Sequence, residues 1–325
     1  MKCRIARTRN IGLPMRGNRK VARVAAIRFR PLAVGGPLNA GLVPVGLHSR
    51  MIARQASVGP SKKVTLMRII SLNANGIRSA ARRGFFQWAD SEVADVICLQ
   101  ETRAQEHQLP PEATTLAGFT PYFVDASRRG YSGVALYSRR EPLSVRRSLG
   151  WDDMDSEGRF VQADFGAVTV ASLYVPSGIS GPARQTFKMT FLERLLAVLA
   201  QLRHSGGAHI VCGDFNIAHK PIDTYNFARN SHVTGSLPEE RAWMDTLIER
   251  LGWVDAFRVV NQEAKQYTWW SNWPAAWERN LGWRIDYQMI TPDLVPRVQR
   301  ASIYKEARFS DHAPLTIDYD LSLIA

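Results

Sequence analysis

An apolar run, Ile210-Val211-Cys212, ends abruptly in Gly213-Asp214-Phe215-Asn216, and His219 stands three residues further on. A carboxylate and an amide two residues apart at the end of a buried strand can orient a water or hold a phosphate oxygen, and an imidazole nearby can move a proton. The same transition recurs along the chain. Ile69-Ile70-Ser71-Leu72 gives way to Asn73-Ala74-Asn75-Gly76, and Val96-Ile97-Cys98-Leu99 to Gln100-Glu101-Thr102. Ser172-Leu173 leads into Tyr174-Val175-Pro176-Ser177-Gly178, Trp283-Arg284-Ile285 into Asp286-Tyr287, and Phe309-Ser310 precedes Asp311-His312. Each alone also reads as turn chemistry, because Asn and Gly supply positive φ and Asp or Glu caps the next turn or helix. Together they point to one rim, since the strand ends of a sheet face the same way. Carboxylates gathered without Cys or clustered His suit a hard, oxygen-preferring cation, Mg²⁺ or Mn²⁺ in place of Zn²⁺.

The elements that must carry these groups are short β runs alternating with helices. Ile69–Leu72, Val96–Leu99, Val134–Tyr137, Val168–Tyr174, Ile210–Cys212 and Ile285–Ile290 read as strands. From Gln185 to Arg203, Phe187, Phe191, Leu195, Val198 and Leu202 fall on one helical stripe. A second helix is expected from Glu239 to Leu251, opened by Pro238 and closed by Gly252. This mixture over the stretch from Met67 onward predicts one layered α/β domain, two packed sheets with helices outside.

Composition narrows the class. The net charge of +13 belongs to the N-terminus: residues 1–66 hold 14 Lys and Arg and no Asp or Glu, while the rest has 28 basic against 29 acidic residues, a net of −1. Whole-chain charge is therefore no argument for a nucleic-acid partner. Residues 1–66 lack sustained periodicity and carry Gly35-Gly36-Pro37 and Gly59-Pro60, so a mostly disordered extension is expected there. Their acid-free, Arg-rich composition also suits an organelle transit peptide. An upstream-extended start, with Met67 as the true beginning, is the preferred reading and makes the protein cytoplasmic. No apolar run reaches the length of a membrane span, so no membrane partner is expected. Cys3, Cys98 and Cys212 have no metal-ligand spacing.

The ordered blocks L-N-A-N-G-I-R, L-Q-E-T, G-Y-S-G-V-A, S-E-G-R, Y-V-P-S-G, G-D-F-N-I-A-H, G-W-R-I-D-Y and S-D-H-A-P resemble the exonuclease III family of AP endonucleases from Met67 to Tyr319. That resemblance implies a deoxyribonuclease I-like four-layer α/β sandwich over residues 67–325, acting as a single catalytic nuclease domain. It implies hydrolysis of DNA phosphodiesters by a metal-activated water, leaving a 3′-hydroxyl. Glu101, Asn73, Asn75 and Asp311 would hold the Mg²⁺ (or Mn²⁺). Some relatives carry Asp where Asn75 stands, which makes this site less acidic. Asp214 would deprotonate the water, Asn216 would hold it or a phosphate oxygen, and Tyr174 would donate to the phosphate or the leaving group. Asp286 and His312 match the family's carboxylate–imidazole pair.

The expected partner is double-stranded DNA carrying an abasic site, nick, gap or 3′-blocked end, bound by a monomer. Its contacts would come from Arg78, Arg82 and Arg83, from Arg128, Arg129 and Tyr131, and from Arg184 and Lys188 at the start of the long helix. Trp269, Trp283 and Ile285 resemble the walls of the family's apolar pocket for a flipped-out abasic sugar; core packing is the competing use of such rings. Two other functions stay open: a phosphoesterase acting on a lipid or inositol phosphate, and an inactive DNA-binding module. His219 adds a selectivity expectation. Projecting into the pocket mouth, it would obstruct an internal abasic sugar and favour 3′-phosphatase or exonuclease activity over AP incision; capping the turn before Pro221 is its bland alternative.

Overall fold

The computed structural model describes residues 66–323. The reading of residues 1–66 as a basic extension lies outside these, except for Leu66, which opens the first strand.

Six strands build the first sheet: β1 (Leu66–Asn73), β2 (Val96–Gln100), β3 (Thr120–Val124), β4 (Val134–Ser138), β13 (Val298–Ile303) and β14 (Leu315–Asp320), in the order β13-β14-β1-β2-β4-β3. The second contains β5 (Ser144–Arg146), β6 (Phe160–Asp164), β7 (Val168–Tyr174), β8 (Ala208–Asp214), β9 (Val254–Asp255) and β12 (Asp286–Ile290), in the order β5-β6-β7-β8-β12-β9. A ribbon of β10 (Trp269–Trp270) and β11 (Gly282–Trp283) stands apart. Both sheets are mixed. Each has one central parallel pair, β1 with β2 and β7 with β8, among antiparallel neighbours.

The helices are α1 (Ile77–Arg82), α2 (Phe85–Ser91), α3 (Pro111–Thr114), α4 (Pro182–Ser205), α5 (Phe227–Asn230), α6 (Pro238–Asp245) and α7 (Ala256–Val260). The central strands are apolar on both faces, which is why they read as unbroken runs. Met67 and Ile69 of β1, Val96 and Cys98 of β2 and Ile210 and Cys212 of β8 fill the core between the sheets. The alternate residues Ile70, Leu72, Ile97 and Leu99 pack with Phe85 and Phe86 of α2. On the other side Ala171, Leu173 and Val211 pack under α4 and α6. Helix, sheet, sheet, helix is the four-layer order the resemblance implied.

Two helices differ from the sequence reading. α4 begins three residues early because Pro182 suits the first turn, where no N–H is needed. Its buried line runs through Lys188, Phe191, Leu192, Leu195 and Leu199, so Phe187, Val198 and Leu202 are only partly covered. The second helix stops at Asp245 and continues as a wider π turn over Thr246–Arg250.

Near one rim the inter-sheet face turns polar. Gln100 Nε2 donates to Ser172 Oγ at 2.9 Å, and Tyr319 Oη donates to Gln288 Oε1 at 2.9 Å. These pairs satisfy buried polar groups directly beneath the strand ends.

Candidate active site

The parallel pairs run their carboxyl ends to the same rim, where crevices open in α/β sheets. Asn73 ends β1 beside Gln100, and Glu101 follows β2. Tyr174 ends β7 opposite Asp214, the last residue of β8, and antiparallel β12 starts with Asp286 opposite the same Asp214. Gly213 makes the approach feasible, since a Cβ there would stand 1.8 Å from Leu173 O.

The loops are laced together before any side chain is considered. Ala74 N donates to Gln100 O at 2.8 Å, Gly76 N to Glu101 O at 2.8 Å and Arg103 N to Ser132 O at 2.8 Å. Nine described non-glycine residues have positive φ, and five of them, Asn75, Glu101, Arg103, Ser132 and Asn216, stand in or beside this crevice. Left-handed backbone concentrated here is strain that the surrounding ladder holds in place.

Side chains converge on Asp214. Asn73 Nδ2 donates to Asp214 Oδ2 at 2.8 Å, and the main-chain N–H of Asn216 donates to Asp214 Oδ1 at 2.7 Å. Asn216 Nδ2 is shared between Val175 O at 2.9 Å and Asp214 Oδ2 at 3.2 Å. His312 Nδ1 is 2.9 Å from Asp286 Oδ2, and its Nε2 is 3.9 Å from Asp214 Oδ2. Thr268 Oγ1 fixes the Asp286 strand end, accepting from the N–H groups of Ile285 and Asp286 at 3.1 and 3.2 Å. Burial and the neighbouring Asp286 raise the Asp214 carboxyl to about 7, against the pull of His312, Asn73 and the Asn216 N–H. Burial alone would lower His312, but Asp286, Asp214 and Asp311 carry it up to about 10. At neutral pH the arrangement thus offers a carboxylate near its own pKa and a protonated imidazole beside it.

Asn75 Nδ2 donates to Asp311 Oδ1 at 2.7 Å, and Asp311 Oδ2 accepts from Trp269 Nε1 at 3.1 Å. Burial raises Asp311, yet His312 and the hydrogen bonds from Asn75, Trp269 and Ser310 leave it below the usual carboxylate range. Tyr174 Oη donates to Glu101 Oε1, and Arg103 pairs with Glu101 Oε2. Burial and Glu101 hold the Tyr174 phenol well above its ordinary pKa, so it remains a donor.

These groups line one cleft of about 650 Å³ with Trp269, Trp283, Ile285, Tyr131 and Arg184. Trp269 faces Trp283 across the ribbon, ring centroids 6.2 Å apart and nearly perpendicular, while strand alternation turns Trp270 into a separate small core. Asp214, Asp286 and His312 can each place a ligand atom within 4.8 Å of the others. With His312 charged, the trio reads better as an ion-paired set. Glu101, Asn75 and Asp311 offer the oxygen donors a hard cation prefers, and Asp286 Oδ1 is buried with no hydrogen-bond partner.

The profile of the Endonuclease/Exonuclease/phosphatase family matches residues 70–312, from β1 to the histidine of the site. The chain belongs to this family. Endonuclease/exonuclease/phosphatase proteins depend on a divalent metal, and the acidic oxygen donors of the cleft are able to take one. The exodeoxyribonuclease of Bacillus subtilis (strain 168) is 37% identical over 255 residues, covering 77% of this chain and 98% of that relative. An AP endonuclease from Archaeoglobus fulgidus aligns with a TM-score of 0.69 at 28% identity, covering 78% of this chain and 100% of the other. A 3′ phosphatase from Neisseria, bound to a product DNA hairpin, aligns with a TM-score of 0.71 at 26% identity over 78% and 100% of the two chains.

In this family member some expected site residues lie elsewhere. His219 is a correction. It is buried, its Nε2 is 2.7 Å from Asp245 Oδ1 on α6, and it is absent from the cleft lining. The Asp245 pairing holds the ring against α6, and the main-chain N–H of His219 donates to Tyr287 Oη at 3.3 Å. Lys188 is the second correction: it has no exposed surface and cannot reach DNA, because it sits on the buried face of α4 against Glu240. Asn73 stands behind the cleft, its Oδ1 accepting from Asn75 N at 2.9 Å. Arg184 lines the cleft but is tied to Glu157 by bonds of 2.9 and 2.6 Å. Arg78, Arg82 and Arg129 are exposed outside it. Sequence reasoning missed Arg103 and Thr268. Arg103 was detectable as the basic residue two positions after Glu101, whereas Thr268 carried no signal.

Proposed function

We propose that this chain is a divalent-metal-dependent DNA repair nuclease, using Mg²⁺ or Mn²⁺ to hydrolyse phosphodiesters at abasic sites and at damaged or blocked 3′ ends. One observation carries the reading: the apolar wall of Trp269, Trp283 and Ile285 shares a cleft with Asp214, Asn216 and His312. A polar rim would suit any phosphate ester, but an indole-lined recess beside it suits a sugar swung out of a duplex.

In this mechanism Asp214 takes a proton from the attacking water, which the Asn216 side-chain carbonyl holds toward phosphorus. The water oxygen bonds to phosphorus as the P–O3′ bond opposite it breaks, and the departing 3′ oxygen takes a proton from solvent to become the hydroxyl. His312, charged by Asp286, and the Tyr174 hydroxyl face the phosphate oxygens and offset the added negative charge. Glu101, Asn75 and Asp311, braced by Asn73, would hold the cation, which supplies Lewis-acid polarisation of the phosphate. Arg78, Arg82, Arg129 and Tyr131 would follow the DNA backbone.

With His219 folded against Asp245, nothing in its position disfavours an internal abasic site. The relatives named above, an exodeoxyribonuclease, an AP endonuclease and a 3′ phosphatase, span the activities proposed. The test is the purified protein with Mg²⁺ on matched duplexes carrying either an internal abasic site or a 3′-phosphate at a nick. Both are expected to be processed at comparable rates. Failure to cleave either would contradict the reading.

A further inference from the structure

Lys188 and Glu240 are both fully buried, yet the chemistry just described uses neither. A buried ammonium is strongly unfavourable unless paired, and the pairing here is extensive. Lys188 Nζ donates to Glu240 Oε1 at 2.6 Å and to the main-chain carbonyl of Asn216 at 2.8 Å. Glu240 Oε1 also accepts from Gln185 Nε2 at 3.0 Å and Thr234 Oγ1 at 3.3 Å. Its Oε2 accepts from the N–H groups of Gly235 and Leu237 at 2.6 and 3.0 Å.

Both ends of this network line the cleft: Asn216 belongs to the hydrolytic end, and Thr234 and Gly235 to the loop packed against it. Gly235 is wedged at the seam: a Cβ there would stand 3.3 Å from Asn216 O and 3.2 Å from the Trp283 ring. Its own carbonyl accepts from Ala218 N at 2.7 Å. Asn216 meanwhile has φ 53°, and its carbonyl accepts the Lys188 bond.

We propose that Lys188 and Glu240 are a positioning pair that fixes Asn216 in one geometry. The alternative is an ion pair that serves stability alone, replaceable without kinetic effect. The proposal rests on the reading that Asn216 acts on the water or the phosphate.

Lys188→Met removes the bond to Asn216 O while leaving Glu240 its four other donors. Measured on the abasic duplex, below the onset of thermal unfolding, kcat is expected to fall about tenfold to a hundredfold with little change in KM. In an Asn216→Ala background the same substitution should lower kcat by less than about twofold, because groups acting as a unit are not additive. If Lys188→Met does not fold, Lys188→Met with Glu240→Gln, which removes both charges, takes its place under the same criteria. Wild-type kcat in the clamp variant, or a full further loss in the Asn216→Ala background, would overturn the proposal. If Asn216→Ala alone cleaves like wild type, the assignment of Asn216 is wrong, and the clamp falls with it for that separate reason.

Discussion

Asp214 is the residue on which the site's charges meet, and its state is a balance of named neighbours. Burial and Asp286 push its carboxyl up, and His312, Asn73 and the Asn216 N–H pull it down, leaving it at about 7. The polar types at these positions were readable in the sequence because each one interrupts an apolar run. What a side chain touches was not: His219 and Asn216 are three residues apart, yet only Asn216 faces the cleft. Burial lowers the His219 pKa against the pull of Asp245, so the imidazole is neutral at pH 7 and acts as a tether between the turn and α6. His219→Ala is therefore expected to lower stability by about 1 kcal/mol, the worth of a hydrogen bond to a half-exposed partner. The ratio of abasic-site incision to 3′-phosphate release should not change. A thermal melt and the matched-duplex assay check both halves; a selective rise in incision would restore the obstruction idea.

At the scale of elements, the pocket wall depends on a buried charge cluster. Asp223, in the turn after β8, accepts from Arg284 Nε and Arg258 Nη2, each at 2.8 Å, and Arg284 Nη1 also meets Asp255 Oδ2 at 2.7 Å. Arg284 lies between Trp283 and Ile285, so the cluster joins the turn, α7 and the start of β12 behind the wall. Burial would raise the Asp223 carboxyl, but the two arginines and the Lys220 N–H hold it at about 2. Its folded pKa is thus below the ordinary value of about 3.9, so the stability it confers is complete above pH ~4 and is lost as pH falls through about 2. Asp223→Asn should cost roughly 3–5 kcal/mol at pH 6 by leaving Arg284 under-paired. Urea unfolding at pH 6, 4 and 2.5 should show the gap between wild type and variant narrowing only at the acid end. Equal stability at pH 6 would refute the cluster's role. No local pattern announced it, because its partners are 35 and 61 residues apart in the chain.

For the whole molecule, the legible part was what burial writes directly into the sequence. Central strands covered on both faces became unbroken apolar runs, and their polar ends marked the rim. Edge strands such as β3 and β5, partly exposed and short, left no comparable run. The polar layer of Gln100, Ser172 and Gln288 between the sheets was hidden because each residue finds its partners on another strand. Lys188 was misjudged for a related reason: which side of α4 is buried is settled by its packing on α6. Two sheets packed face to face bring Glu101 from one and Asp214 from the other to a single cleft, and the proposed hydrolysis is centred there. The most direct measurement is the rate at which wild type and Asp214→Asn incise an abasic duplex, each with Mg²⁺ and with EDTA. The predicted result is a loss of about 10²–10⁴-fold in kcat for Asp214→Asn with duplex binding retained, and no cleavage by either protein in EDTA. Undiminished Mg²⁺-dependent cleavage by Asp214→Asn would contradict it.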